Sequence, residues 1–218
     1  WQQYSIVNGA QRGALRKVDT SRVPLTAYLG VVGMPGVTAW YGLNRIIEAK
    51  AGQTISVSAA SGAVGSVVGQ LAKRRGCRAV GFAGGREKCD FVINELGFDA
   101  CVDYKAHADP KSLYRALKDA TPDGIHGHFE NVGGAVLDAT LSRMNDFGRI
   151  AMCGMISGYD GEPIPMRYPS LILTSRLLVQ GFIVSEHMDA WPEASQELGA
   201  GVADGTLKYR ESIVEGLE

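Results

Sequence analysis

Ala59-Ala60-Ser61-Gly62-Ala63-Val64-Gly65-Ser66-Val67-Val68-Gly69 joins two segments of different periodicity. Before it, Thr54–Ala59 is a run of small and apolar residues that reads as a strand; after it, Ala63–Arg75 carries a helical repeat. Between them, Gly62 lets the backbone come close to a bound anion, and Gly65 lets the helix pack tightly against the strand. The free N–H groups at the start of the helix then face whatever sits over the turn. The usual first glycine of such a turn is Ala60 here, giving AxGxxG. An alanine at that position tightens the turn only if its φ stays negative.

Outward from this turn, strand-length apolar runs alternate with helical segments. Arg78–Ala83, Ala100–Asp103, Ile125–Glu130, Arg149–Cys153 and Leu177–Val184 read as strands. Glu87–Leu96, Pro110–Ala120, Gly134–Met144 and Tyr168–Arg176 read as helices. Strands this continuously apolar belong to a sheet covered on both faces. The fold class is therefore α/β: a doubly wound parallel (Rossmann) sheet with helices on both faces. A second strand, glycine turn and helix at Ile125–Leu141 repeats Thr54–Gly69, which suits two mononucleotide-binding halves. In that setting the turn is expected to hold a dinucleotide pyrophosphate; the plainer alternative is close helix–strand packing. The ends follow another pattern. Trp1–Val7 reads as a strand, so the sequence is expected to begin inside a longer chain; Asn8-Gly9-Ala10 follows as a polar loop. Pro35–Leu43 opens a helix to about Ala49, Met188–Ala203 reads as a helix, and Lys208–Val214 as a final strand.

Composition removes several function classes. A net charge of −1 with no basic run argues against a nucleic-acid footprint. Cys77, Cys89, Cys101 and Cys153 form no CxxC pair, so they read as idle thiols of a reducing compartment, and the expected location is cytoplasmic. Val23–Asn44 and Ala51–Ala72 carry no charge, but prolines and glycines interrupt the first and serines and glycines the second. No membrane partner is expected. His126 and His128 lie on one side of a strand without further residues spaced to complete a metal site, and His107 and His187 are isolated, so no metal is expected. Ser61 and Ser66 sit in no GxSxG elbow.

The tip of the second strand bears on the choice of cofactor. It ends Gly81-Phe82-Ala83-Gly84-Gly85-Arg86-Glu87-Lys88, with no carboxylate where a ribose hydroxyl would be held. Arg86 and Lys88 offer positive charge for a 2′-phosphate, which favours NADP; the alternative is that they solvate a helix start. Tyr159, after Cys153-Gly154-Met155-Ile156-Ser157-Gly158, follows the fifth strand at its carboxyl end, where ligands gather. A loop tyrosine can equally be plain surface structure.

Four strings occur in order: Gly33–Leu43, Ala59–Gly69, Glu130-Asn131-Val132-Gly133-Gly134 and Cys153–Tyr159. Together they resemble the zinc-independent medium-chain dehydrogenases/reductases, in particular the prostaglandin reductase (leukotriene B4 dehydrogenase) and curcumin reductase group. That resemblance implies an NADPH-dependent enzyme that reduces the C=C bond of α,β-unsaturated ketones and aldehydes. It implies a further N-terminal GroES-like catalytic domain, of which only short remnants would be present, and hence a chain that binds cofactor but turns over little substrate alone. The implied division is residues 1–24 as the tail of that domain, 25–185 as the dinucleotide-binding domain and 186–218 as a segment returning toward it.

By the same resemblance, Gly62, Ala63, Val64 and Gly65 would cradle the pyrophosphate. Lys88 and Tyr104, with Arg86 as a helper, would contact the adenosine phosphate end, and Asn131 would hold the cofactor at the fourth strand. Cys153, Gly154, Met155, Ile156, Ser157, Gly158 and Tyr159, with Phe182, Ile183 and Val184, would line the nicotinamide. Tyr159 would act in catalysis by hydrogen bonding to the developing oxyanion. A homodimer through the edge strand Leu177–Val184 is expected. The alternatives are a quinone reductase or alcohol dehydrogenase of the same superfamily, or a non-catalytic nucleotide-binding module. A methyltransferase would want a carboxylate closing the second strand.

Overall fold

The computed structural model describes residues 4–8, 17–107 and 109–216. Six strands form one sheet: β1 (Thr54–Val57), β2 (Arg78–Ala83), β3 (Ala100–Asp103), β4 (Ile125–Glu130), β5 (Met144–Met152) and β6 (Leu178–Gly181). Every pair is parallel, in the order β3-β2-β1-β4-β5-β6. The doubly wound α/β sheet expected from the sequence is the fold observed. The chain winds outward from β1 in one direction and from β4 in the other, so the two central strands meet at the point where the order reverses. Ligands of such sheets sit there, outside the carboxyl ends of the strands.

The helices are α1 (Met34–Tyr41), α2 (Gly65–Arg74), α3 (Arg86–Asp90), α4 (Pro110–Ala120), α5 (Gly134–Leu141), α6 (Ser170–Thr174) and α7 (Trp191–Ala203). Local chemistry explains their starts. Pro110 supplies a fixed φ to the first turn of α4, and the Asp109 carboxylate accepts the N–H groups of Lys111 and Ser112 at 2.9 and 3.0 Å. Two apolar clusters cover the two faces of the sheet. One joins Trp40, Leu43, Ile55, Val67, Phe129 and Leu198; the other joins Phe82, Leu113, Leu117, Val136, Leu141 and Ile150.

The core also binds in the chain beyond β6. The Trp40 indole donates to Glu197 at 2.6 Å and Arg75 pairs with the same carboxylate at 3.1 Å, while Ala194, Leu198 and Leu207 are buried in the first cluster.

Several boundaries differ from the sequence reading. The strand expected to start at Arg149 begins at Met144, with a register shift between Ile125 and Gly127 that lets the longer strand stay paired. The strand expected at Leu177–Val184 narrows to Leu178–Gly181, and the helix expected to reach Leu96 takes π-type turns after Asp90. The strand expected at Lys208–Val214 does not form. That segment is a strap held by side chains: Gln70, buried in α2, accepts the Lys208 N–H at 2.7 Å and donates to its carbonyl at 2.8 Å. Farther along, the Arg210 guanidinium lies 4.1 Å from the Phe91 ring centroid. Amide-to-side-chain clamps occupy the backbone groups that a sheet neighbour would need. Of the strand expected at Trp1–Val7, residues 1–3 lie outside the described set and residues 4–7 carry no strand. No helix among the described residues is long and apolar enough to cross a membrane.

Candidate functional site

The turn after β1 is built around one left-handed residue. Ala59 takes φ +51°, while Ala60 is absent from the positive-φ residues; the sharp bend therefore falls one position earlier than the AxGxxG pattern suggests. Ala60 is fully buried, and its N–H donates to the Phe82 carbonyl at 2.9 Å. The Ala59 carbonyl then points at α2. A Cβ on Gly65 would lie 2.3 Å from that oxygen, so only glycine fits. A cleft of about 120 Å³ opens beside the turn, lined by Ser61, Gly62, Ala63 and Ser66.

Beyond β4, a second pair of loops meets. Gly133 and Gly134 take φ +81° and +61°, turning the chain into α5. The Cys153–Tyr159 loop docks on this turn through its backbone. The Cys153 and Gly154 N–H groups donate to the Glu130 carbonyl, Ile156 N–H to Asn131, and Ser157 N–H and Oγ–H to Val132, all between 2.6 and 3.1 Å. The Met155 Sδ and Cε lie against Gly133, and the Tyr159 hydroxyl folds back over Gly154. Tyr159 itself is 71% exposed, free to meet a ligand. Burial pushes the Cys153 thiol up to about 11, so it lines the loop as a neutral group.

Asn131 ties the two halves together: its Nδ2 donates to the Ser58 carbonyl at 2.8 Å and its N–H to Ser58 Oγ at 2.7 Å. Phe182 packs edge-on against Phe129, with 6.1 Å between ring centroids, Val184 is buried and Ile183 is exposed. The structure therefore brings Asn131, Cys153–Tyr159 and Phe182–Val184 to the carboxyl ends of β4, β5 and β6, and Gly62–Gly65 to that of β1.

The residues expected at the adenosine end gather at the tip of β2. Tyr104 is half-buried, and its hydroxyl covers Gly84. Lys88 is exposed; Arg86 is 93% exposed in its side chain and pairs with Asp90 at 3.6 Å. Two features here were not visible along the chain. The tip is not free of carboxylates, because Asp103 at the end of β3 accepts the Gly85 N–H at 2.8 Å. Lys105 also belongs to the cluster, since its Cε lies 2.9 Å from the position of a Gly84 Cβ. Asp103 ends the neighbouring strand and Lys105 lies in the turn just after it, so only the β2–β3 register could reveal them.

Beneath the loops lies a buried polar ladder on one face of β1 and β4. Ser56, Ser58, His128 and Glu130 are all fully buried. Ser56 Oγ meets His128 Nδ1 at 2.8 Å, His128 Nε2 meets Glu130 Oε2 at 3.0 Å, and Ser58 Oγ donates to Glu130 Oε1 at 2.6 Å. The sequence reading left His128 without a carboxylate, but Glu130, two positions along, is its partner. His126 is separate and accepts the Thr54 N–H at 3.1 Å. Burial alone would raise the Glu130 carboxyl; the charge and hydrogen bond of His128, with those of Ser58 and the Val132 N–H, outweigh it and hold the group down at about 2. A depressed folded-state value contributes stability that is complete above the unfolded value of about 4.3 and vanishes as pH falls through the folded one. Unfolding free energy is thus expected to drop between about pH 4 and about pH 2. Glu130→Gln should flatten that limb in denaturant titrations, and an unchanged acid limb would remove Glu130 from it.

A glycine-rich turn at a helix start thus lies beside the reversal point, with a second glycine turn across it. The sequence model of a protein family described as zinc-binding dehydrogenase matches residues 63–200. The chain belongs to that family. A 2-alkenal reductase (NADP(+)-dependent) of Nicotiana tabacum and prostaglandin reductase 1 of Oryctolagus cuniculus are each 42% identical over the whole chain. The chain spans 62% of the length of either relative. CurA from Vibrio vulnificus, solved in complex with NADPH, is 40% identical with a TM-score of 0.84, over 92% of this chain and 60% of that one. The family's name implies zinc, but among the described residues no group of three or more His, Cys, Asp or Glu is placed to hold a metal ion. The described residues do not fit a zinc centre.

Proposed function

We propose that this chain is the NADPH-binding part of a reductase acting on the C=C bond of α,β-unsaturated aldehydes and ketones. The observation that carries the reading is the convergence of the Gly62–Gly65 turn and the Asn131–Gly134 and Cys153–Tyr159 loops at the β1/β4 reversal. The cradle fits the cofactor: Gly65 leaves no Cβ over the turn, so a pyrophosphate would be able to approach its backbone closely. Arg86, Lys88, Tyr104 and Lys105 stand where a 2′-phosphate would lie. Asn131, Cys153–Tyr159 and Phe182–Val184 flank the nicotinamide end.

When bound, NADPH supplies a hydride for the β-carbon of the enone. Negative charge would then grow on the carbonyl oxygen, where the Tyr159 hydroxyl would donate a hydrogen bond, an oxyanion-type stabilisation, before a solvent-derived proton completes the α-carbon. Phe182, packed against Phe129, and the buried Val184 would wall one side of the nicotinamide. Assayed with NADPH against a 2-alkenal, a quinone and an alcohol with the oxidised cofactor, the protein carrying this chain is expected to prefer the alkenal. Turnover of quinone or alcohol alone would favour the other reductases and dehydrogenases of the superfamily. The division into residues 1–24, 25–185 and 186–218, a cytoplasmic location, zinc-independence and low turnover by this stretch by itself belong to the same reading.

The partner proposed is a second copy. β6 is the outermost strand and every one of its residues is exposed, including Leu178 at 42% and Val179 at 37%. An exposed apolar edge favours strand-to-strand pairing. Sedimentation at micromolar concentration is expected to show a dimer, shifted toward monomer by Val179→Lys; a wild-type chain that stays monomeric contradicts the pairing.

A further inference from the structure

We propose that Glu130 is a positioning residue for the nicotinamide end of the cofactor, its buried carboxylate setting the shape of both loops that flank that end. The inference rests on the NADPH reading above and adds a residue to it. Three consecutive N–H groups follow β4, and none is spent on the sheet. Asn131 N–H donates to Ser58 Oγ at 2.7 Å, Val132 N–H to Glu130 Oε1 at 2.6 Å, and Gly133 N–H to the same oxygen at 3.0 Å. Ser58 in turn donates to that oxygen, so all three are gathered on one carboxylate directly or through one hydroxyl.

The consequence lies on the opposite side of the peptides. With the Val132 and Gly133 N–H groups drawn inward, the same peptides present the Asn131 and Val132 carbonyls to the Cys153–Tyr159 loop. There they accept Ile156 N–H, Ser157 N–H and Ser157 Oγ–H. The left-handed Gly133 and Gly134 are held between these two sets of bonds. Removing the carboxylate leaves buried N–H groups without an acceptor, and the turn must reshape to recover partners. The Glu130 side chain reaches β1 through His128 and Ser56, and the residue after β1 through Ser58, but it makes no direct bond to β2 or the Gly62–Gly65 turn, so the adenosine side should feel the change least.

Charge is not essential to this role. In Glu130→Gln the amide oxygen can keep the three donors while the NH₂ group turns to His128 Nε2, with Nδ1–H donating to Ser56 Oγ. The test compares NADPH with 2′-phospho-ADP-ribose, which has the same adenosine end but no nicotinamide. Both are titrated calorimetrically into the wild-type chain, Glu130→Ala, Glu130→Gln and Ser58→Ala, and nicotinamide fluorescence is recorded on bound NADPH. Wild type is expected to hold NADPH more tightly than the ring-less ligand. Glu130→Ala should weaken NADPH by about tenfold, the cost of one to two lost hydrogen bonds, and 2′-phospho-ADP-ribose by less than about twofold. Glu130→Gln should restore both the affinity and the fluorescence.

Equal losses for the two ligands, or no loss for either, would overturn the proposal. So would a wild-type chain that holds both ligands equally. If Glu130→Ala does not fold by circular dichroism, Ser58→Ala is read in its place, with a smaller loss confined to NADPH expected. Collapse of both variants would assign the network to the fold alone and also overturn it. A wild-type chain that binds neither ligand refutes the NADPH reading itself, a separate result.

Discussion

Gly65→Ala is expected to weaken NADPH binding by about tenfold or more and to cost the fold about 1–3 kcal/mol. The added methyl would stand 2.3 Å from the Ala59 carbonyl oxygen, 2.9 Å from its carbon and 3.0 Å from the Ala60 Cα. All three neighbours are backbone, so no side chain can swing aside. The turn must open, and with it the spacing of the N–H groups that meet the pyrophosphate. Gly62→Ala makes a useful contrast, because its Cβ would meet only the Ala59 oxygen, at 3.2 Å, and a shift of a few tenths of an ångström relieves it. Thermal unfolding and NADPH titration of both variants check the ranking. Wild-type affinity in Gly65→Ala would mean that this turn is packing alone.

Lys88→Ala is expected to weaken NADPH by about tenfold and leave NADH nearly unchanged. A charge-assisted hydrogen bond to the 2′-phosphate is worth about 1.5–3 kcal/mol, and solvent exposure with salt screening pulls the effect to the lower end. The surroundings sharpen the expectation. Arg86 is partly engaged with Asp90, whereas the Lys105 stem crosses Gly84 beside the Tyr104 hydroxyl. Lys105→Ala should therefore produce a second NADPH-specific loss, larger than that of Arg86→Ala. The Asp103 carboxylate at the same tip accepts the Gly85 and Lys105 N–H groups on one oxygen, Oδ1, at 2.8 and 3.0 Å. Equal losses of NADPH and NADH in Lys88→Ala would assign it to the fold or the pyrophosphate.

What could be read along the chain was whatever local periodicity encodes. β2, β3, β4 and α4 appear at the bounds that the apolar runs and the helical repeat of Pro110–Ala120 predict. The parallel, doubly wound character of the sheet followed from strand–helix alternation, because parallel strands need crossover connections. What escaped was set by contacts between distant segments. The bend at Ala59 rather than Ala60 depends on the Ala60 N–H finding the Phe82 carbonyl one strand away. The Glu130–His128 pair hid in a strand pattern because its stabilising partners, Ser56 and Ser58, lie on β1 and just after it. Lys208–Val214 has the alternation of a strand, yet Gln70 captures its first residue before any ladder can form.

Calorimetric titration of the 218-residue chain with NADPH and then NADH, in the same low-salt buffer, tests the central claim most directly. The account predicts one NADPH bound per chain, with NADH weaker by about tenfold. No heat of binding with either cofactor, or NADH held as tightly as NADPH, would contradict it.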